Sequence, residues 1–145
     1  MGTTNVYDQD FYRWALQQSQ LLRERQFDQV DWQNVIEEIE DLGRSQYRAL
    51  TSAVEQLTWH LLKWQLQPER RSKSWKQSIN KQRLQIEKLL DDNPSLKSKL
   101  DEIVQRGYKY GRKGAIQETE LSSDLFPHDC PYSWQQLVDD SFFPN

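Results

Sequence analysis

The sequence predicts an all-α fold, an antiparallel bundle of about four long helices plus a short C-terminal helix. Three observations predict it. Apolar residues recur at helical spacing along every long segment. Breakers are few, with five glycines and five prolines in 145 residues. No stretch alternates apolar and polar residues as a half-buried strand would. Residues 1–145 are long enough for a single helical domain with its own core.

A first helix is expected over about residues 8 to 25, with Phe11, Trp14, Ala15, Leu21 and Leu22 on one face and Gln18 filling the gap. Asp31 is placed to cap a second helix. Its stripe runs Ile36, Ile39, Gly43, Tyr47, Leu50, Val54, Leu57, Leu61, Trp64, an average spacing close to that of bundle packing. Unbroken to residue 66, that helix would be ~50 Å long, against a radius of gyration of ~15 Å for a compact domain of this size. Either the bundle is elongated or the helix kinks at Gly43. Pro68 stops it. A third helix follows from about Ser72 to Asp92, with Trp75, Ile79, Ile86 and Leu90 inward.

"DDNPS" ends the third helix, and Ser95 begins a fourth that reaches about Leu121. Its stripe holds Gly107, Gly111 and Gly114. Each glycine costs ~1 kcal/mol in a helix interior, so three on one face predict that another backbone passes close by. They are not a phosphate loop, because "GYKYGRKG" lacks the G-x-x-x-x-G-K-[ST] spacing. Ser133 and Gln136 form a capping box for a short last helix.

Composition narrows function by exclusion. Six tryptophans and a 12% aromatic share argue against disorder. A net charge of −3 gives no global pull toward nucleic acid. One cysteine excludes an internal disulfide framework and fits a reducing, cytoplasmic setting. "MGTTNVYDQDFY" lacks a secretion leader, and Val6 stands where the myristoylation pattern needs Ser or Thr. No apolar run approaches the ~20 residues of a membrane span, and no cofactor motif occurs.

Four segments, "DFYRWALQQSQLLRE", "NVIEEIEDLGRSQ", "HLLKWQLQPERRSKSW" and "FPHDCPYSW", occur in the order and spacing of a bacterial, mostly cyanobacterial, family known as domain of unknown function twenty-nine. The resemblance covers roughly residues 7 to 144. It implies an all-helical fold and a cytoplasmic bacterial protein, and it implies no reaction. The motif positions it carries over are Glu37, Glu38, Gly43, His60, Lys63, Trp64, Arg70, Arg71, Ser74, Trp75, Arg83, Glu118 and Cys130. The chain departs from the family pattern at Gly107, Gly111 and Gly114, where more alanine is expected.

Charge is distributed unevenly. Residues 63–88 carry eight basic and two acidic side chains, while the flanking segments are both net acidic. Arg70, Arg71 and Lys73 crowd the start of the third helix, where the macrodipole favours anions and opposes cations. With Lys63, Trp75 and Arg83 they form the candidate anion site, because a helix N-terminus beside arginine suits phosphate or carboxylate. Tryptophan faces among these cations would also suit single-stranded nucleic acid. The bland alternative is a helix corner whose arginines pair with the acidic remainder of the bundle or with a second subunit of a homo-oligomer.

Two polar candidates remain. His60 lies at the edge of the inward stripe and is expected to be a buried polar group bonded to Glu118. Glu37, Glu40 and Asp41 fall on adjoining helix faces, where a hard cation could sit, although Glu40 also faces Arg44 at i+4 and a solvated, partly paired face is the ordinary result. No histidine follows a glutamate in the helical Glu-x-x-His metal pattern, and "HDC" at 128–130 offers too few ligands for zinc. The sequence thus reads as a non-enzymatic binding or interaction module. The alternative is a metal-dependent enzyme on phosphorylated or nucleic-acid substrates, using the acidic face with Arg70, Arg71 and His60.

Overall fold

The computed structural model describes residues 6–145. Helices take up 80% of these, and no strand occurs among them. The opening MGTTN, read above as neither leader nor acylation site, lies outside the described residues. No helix among the described residues is long and apolar enough to cross a membrane. The chain divides into two compact units, Met1–Arg44 and Ser45–Asn145.

In the first unit the expected opening helix is two, α1 over Val6–Gln9 and α2 over Phe11–Arg23. Asp10 makes the break, because its carboxylate accepts the Arg13 N–H at 3.1 Å and caps α2. Two backbone bonds close the other end, from Gln26 N to Leu21 O and from Arg25 N to Leu22 O, with Arg25 at φ 57°. That is a Schellman turn, with arginine in the left-handed position that favours glycine. The core of this unit is Trp14, Val30 and Val35. Phe11, expected inward, is 50% exposed; Trp14 fills the interior, and Phe11 lies against it at 5.5 Å between ring centroids.

Helix α3 runs Trp32–Leu66 as one helix through Gly43. Asp31 starts it as expected. Its carboxylate is held by Asn34 and by the Trp14 indole N–H at 3.0 Å, which keep it below the ordinary aspartate range against the opposing effect of burial. The second half of the stripe is buried as read, with Leu50, Val54, Leu57 and Leu61 fully enclosed. The first half is not: Ile36 and Ile39 are 50% and 63% exposed. Around residues 35–38 the helix turns a neighbouring face inward, where Val35 is buried and the Tyr7 hydroxyl bonds Glu38.

In the second unit α3 packs with α4, Lys73–Asp92, and α5, Leu100–Thr119. Ser72 caps α4 by accepting the Trp75 N–H. The start of the expected fourth helix is a 3-10 stretch over Pro94–Lys99, and the α-helix begins only at Leu100. All three glycines of α5 are buried against α3. A Cβ on Gly111 would stand 2.3 Å from the Thr58 hydroxyl oxygen and 2.6 Å from the Glu55 carbonyl oxygen, and one on Gly114 would strike the Trp59 ring at 2.5 Å. The expected close backbone passage is therefore present, and alanine does not fit there without movement. The capping box of Ser133 and Gln136 opens α6, Trp134–Val138. Phe126, Tyr132 and Leu137 carry the C-terminal segment into the core formed by Leu57, Ile79, Ile86 and Ile103.

Candidate functional site

The basic corner is built from the end of α3, a 3-10 turn at Pro68–Arg70 and the first turn of α4. Pro68 forces the turn because its ring cannot continue the helix. The structure sorts the basic side chains here into two groups.

One group faces inward. Lys63 is 4% exposed; its ammonium lies 3.0 Å from Glu118 Oε1 and 4.6 Å from the centre of the Trp75 ring. The other Glu118 oxygen accepts the Trp59 indole N–H at 2.6 Å. Arg71 donates to the carbonyls of Trp64 and Pro144, at 2.8 and 3.2 Å, and stacks 5.0 Å from the Trp64 ring. Phe143 packs on that same indole, with ring centroids 5.0 Å apart. Arg83 is 3% exposed and donates to the carbonyls of Leu137 and Gln136, closing the C-terminal end of α6. Its Nη1 is buried with no hydrogen-bond partner among the described residues. Burial lowers the Arg83 pKa, and Asp140 and Asp139 work against that.

The other group faces outward. Arg70 and Lys73 are exposed, and Lys76, also exposed, sits 5.6 Å from the Phe143 ring. Among the described residues no carboxylate lies within ion-pairing distance of Arg70, Arg71, Lys73 or Lys76. Trp75 is half-buried, with Lys63 against its ring. Arg70, Arg71, Lys73 and Trp75 thus share one corner, but Arg71, like Lys63 and Arg83, is committed to internal bonds.

His60 and Glu118 do not form the expected pair. His60 Nδ1 lies 2.8 Å from the Gln56 carbonyl, and Glu118 is bonded to Lys63 and Trp59 instead. Helical spacing explains this, since Trp59 and Lys63 are four residues apart on one face and His60 is turned away from it. The Glu118 side chain is also not buried, being 49% exposed. Burial lowers the His60 pKa, aided by Lys63 and opposed by the Gln56 carbonyl and Glu118. For Glu118, desolvation acts to raise the pKa, but the bonds from Lys63 and Trp59 outweigh it and the net shift is downward.

The acidic face belongs to the first unit. Arg44 draws Asp41 to 2.5 Å and Glu40 to 3.7 Å, and the Tyr7 hydroxyl takes Glu38, a bond that raises the tyrosine pKa to about 12. Among the described residues no three His, Cys, Asp or Glu side chains gather as a metal site. Glu37, Glu40 and Asp41 are therefore not assembled as a cation-binding set, because Arg44 claims two of them.

Three features escaped the sequence reading. Lys76 joins the exposed cations one turn into α4. Arg112 donates to the carbonyls of Ser123, Phe126 and Pro127 and ties that loop to α5. A cleft of about 1180 Å³ runs between α5 and residues 128–134, lined by Tyr108, Lys109, Lys113, His128 and Trp134 among others. Cys130 lies in it too, its thiol pKa raised by burial, which keeps it protonated and a poor nucleophile. Only Lys76 had a local signal, its place in the basic run; the other two depend on contacts between segments distant in sequence.

No curated protein and no solved structure matches the chain. The all-helical architecture agrees with the sequence resemblance, and the family's sequence model matches residues 6–143, nearly the whole chain. The chain belongs to the family described as Domain of unknown function DUF29.

Proposed function

We propose that the protein is a helical interaction module whose basic corner engages an anionic group, a phosphate or carboxylate, through Arg70, Lys73 and Lys76, with Arg71 behind them. One observation carries this reading. In a chain with 22 acidic residues and a net charge of −3, the four cations have no carboxylate within ion-pairing distance among the described residues. Like charges crowded at a helix N-terminus are unfavourable unless something neutralises them, and an anion arriving there would also meet the first-turn N–H groups of α4. The tryptophans favour a compact anion over stacked bases, because Trp64 is engaged by Arg71 and Phe143, and Trp75 by Lys63.

The test is a fluorescence titration of the wild type and an Arg70→Ala, Lys73→Ala double variant with inorganic phosphate, an acidic peptide and a short single-stranded oligonucleotide. Both residues are exposed, so neither change empties a buried position. The double variant is expected to bind its best anion about tenfold or more weakly, the value of one lost charged hydrogen bond. Equal affinities in the two proteins, or no binding by either, would refute the reading.

A further inference from the structure

Arg83 on α4 is a cation shut away from water, 3% exposed. Buried charges are ordinarily paired, yet among the described residues no carboxylate lies within ion-pairing distance of it. Its Nε and Nη2 donate to the Leu137 and Gln136 carbonyls at 2.8 and 3.1 Å, and its Cζ sits 5.4 Å from the centre of the Phe143 ring. Those dipoles and that ring share the charge without neutralising it. The two bonds use one edge of the planar guanidinium. Nη1, off that edge, has no hydrogen-bond partner among the described residues. Arg83 also lines a cleft of about 360 Å³ between α4, α6 and the 3-10 stretch at Pro94–Lys99.

The rest of the lining says what this cleft can hold. Arg83 and Ile86, both buried, form its floor, and Leu90, Trp134 and Val138 are apolar walls. Glu87, Asp91 and Asp140 are exposed on its rim against one cation, Lys97, and no ion pair joins any of these four among the described residues. A phosphate or a simple carboxylate would be drawn to Arg83 but repelled by three rim carboxylates. A molecule that carries both charges meets each with its opposite. The volume lies at the lower end of the ~300–1,000 Å³ of small-molecule sites. We propose that this cleft binds a free α-amino acid with an apolar side chain. The ligand's carboxylate bonds Arg83, its ammonium faces Glu87, Asp91 and Asp140, and its side chain packs on Leu90, Trp134 and Val138. This goes beyond the anion-binding corner and does not depend on it.

Isothermal titration calorimetry of the full chain tests the proposal with three probes: leucine, isocaproate, which is leucine without its ammonium, and isoamylamine, which is leucine without its carboxylate. Leucine is expected to bind, and each of the other two at least about tenfold more weakly, the value of one lost charged hydrogen bond. The triple change Glu87→Gln, Asp91→Asn, Asp140→Asn touches only exposed positions. It should weaken leucine about tenfold or more while isocaproate binds no worse than to the wild type. A merely structural effect would weaken both. Arg83→Gln, with circular dichroism confirming its fold, should lose leucine and leave isoamylamine unchanged. Should that variant unfold, the triple change decides alone. No binding of leucine up to about 10 mM would overturn the proposal. So would equal affinities for leucine and isocaproate, or a leucine affinity that the triple change leaves untouched.

Discussion

Lys63 and Glu118 are unequal partners: the lysine side chain is 5% exposed and the glutamate 49%. Losing the lysine leaves a carboxylate that water can solvate. Losing the glutamate strands an ammonium over the Trp75 ring. Glu118→Ala should therefore cost about 2–3 kcal/mol, and Lys63→Met, which keeps the packing, about 1 kcal/mol or less. Urea unfolding of the two variants checks the order; a larger loss for Lys63→Met would show that the pair contributes mainly through its charge. His60 sets a pH dependence. Folding depresses its pKa below the ordinary value of 6.5, so the unfolded chain binds the proton more readily. The stability tied to His60 is full above about 6.5 and is lost as pH falls through the folded-state value. The urea midpoint should drop between about pH 7.5 and 5.5, and His60→Gln should flatten that drop. An unchanged slope in the variant would assign the acid sensitivity to other groups.

At the scale of elements, glycines decide where helices approach. Gly111 lets α5 lie against the Glu55 carbonyl and the Thr58 hydroxyl, whereas a Cβ on Gly43 would meet nothing within 4 Å among the described residues. The same substitution should thus act in opposite directions. Gly111→Ala forces backbone apart and should cost about 3 kcal/mol. Gly43→Ala should stabilise by up to ~1 kcal/mol through helix propensity alone. Thermal unfolding at low protein concentration compares them, and destabilisation by both would contradict the open setting of Gly43. The sequence made this pattern half legible. Three glycines at helical spacing announced a close passage, and local signals at Ser72, Pro68 and Ser133 set element ends to within a residue or two. Periodicity could not tell that Ile36 and Ile39 stay exposed, because an apolar stripe says which face is sticky and not where its covering ends. Nor could it place the break at Asp10, where a single cap divides one periodic run into two helices.

For the whole molecule, fold class was readable because helical periodicity is local, and the site only in part because its sorting is not. The basic run at 63–88 stood out in sequence, yet Arg71 and Arg83 are turned inward by carbonyls of Pro144 and Leu137, which lie 73 and 54 residues away. The same applies to Glu118, which meets Trp59 and Lys63 across more than 50 residues. What remains outward at the corner itself, Arg70, Lys73 and Lys76, is the surface on which the proposed function rests. The salt dependence of anion affinity examines it most directly, because each phosphate neutralised releases bound counterion. For a short single-stranded oligonucleotide the logarithm of affinity should fall with the logarithm of salt concentration by about 0.7 per phosphate contacted. Removing Arg70 and Lys73 together should make that slope shallower by about 1.4. Parallel salt dependences for the wild type and the double variant would place the bound anion elsewhere and contradict the account.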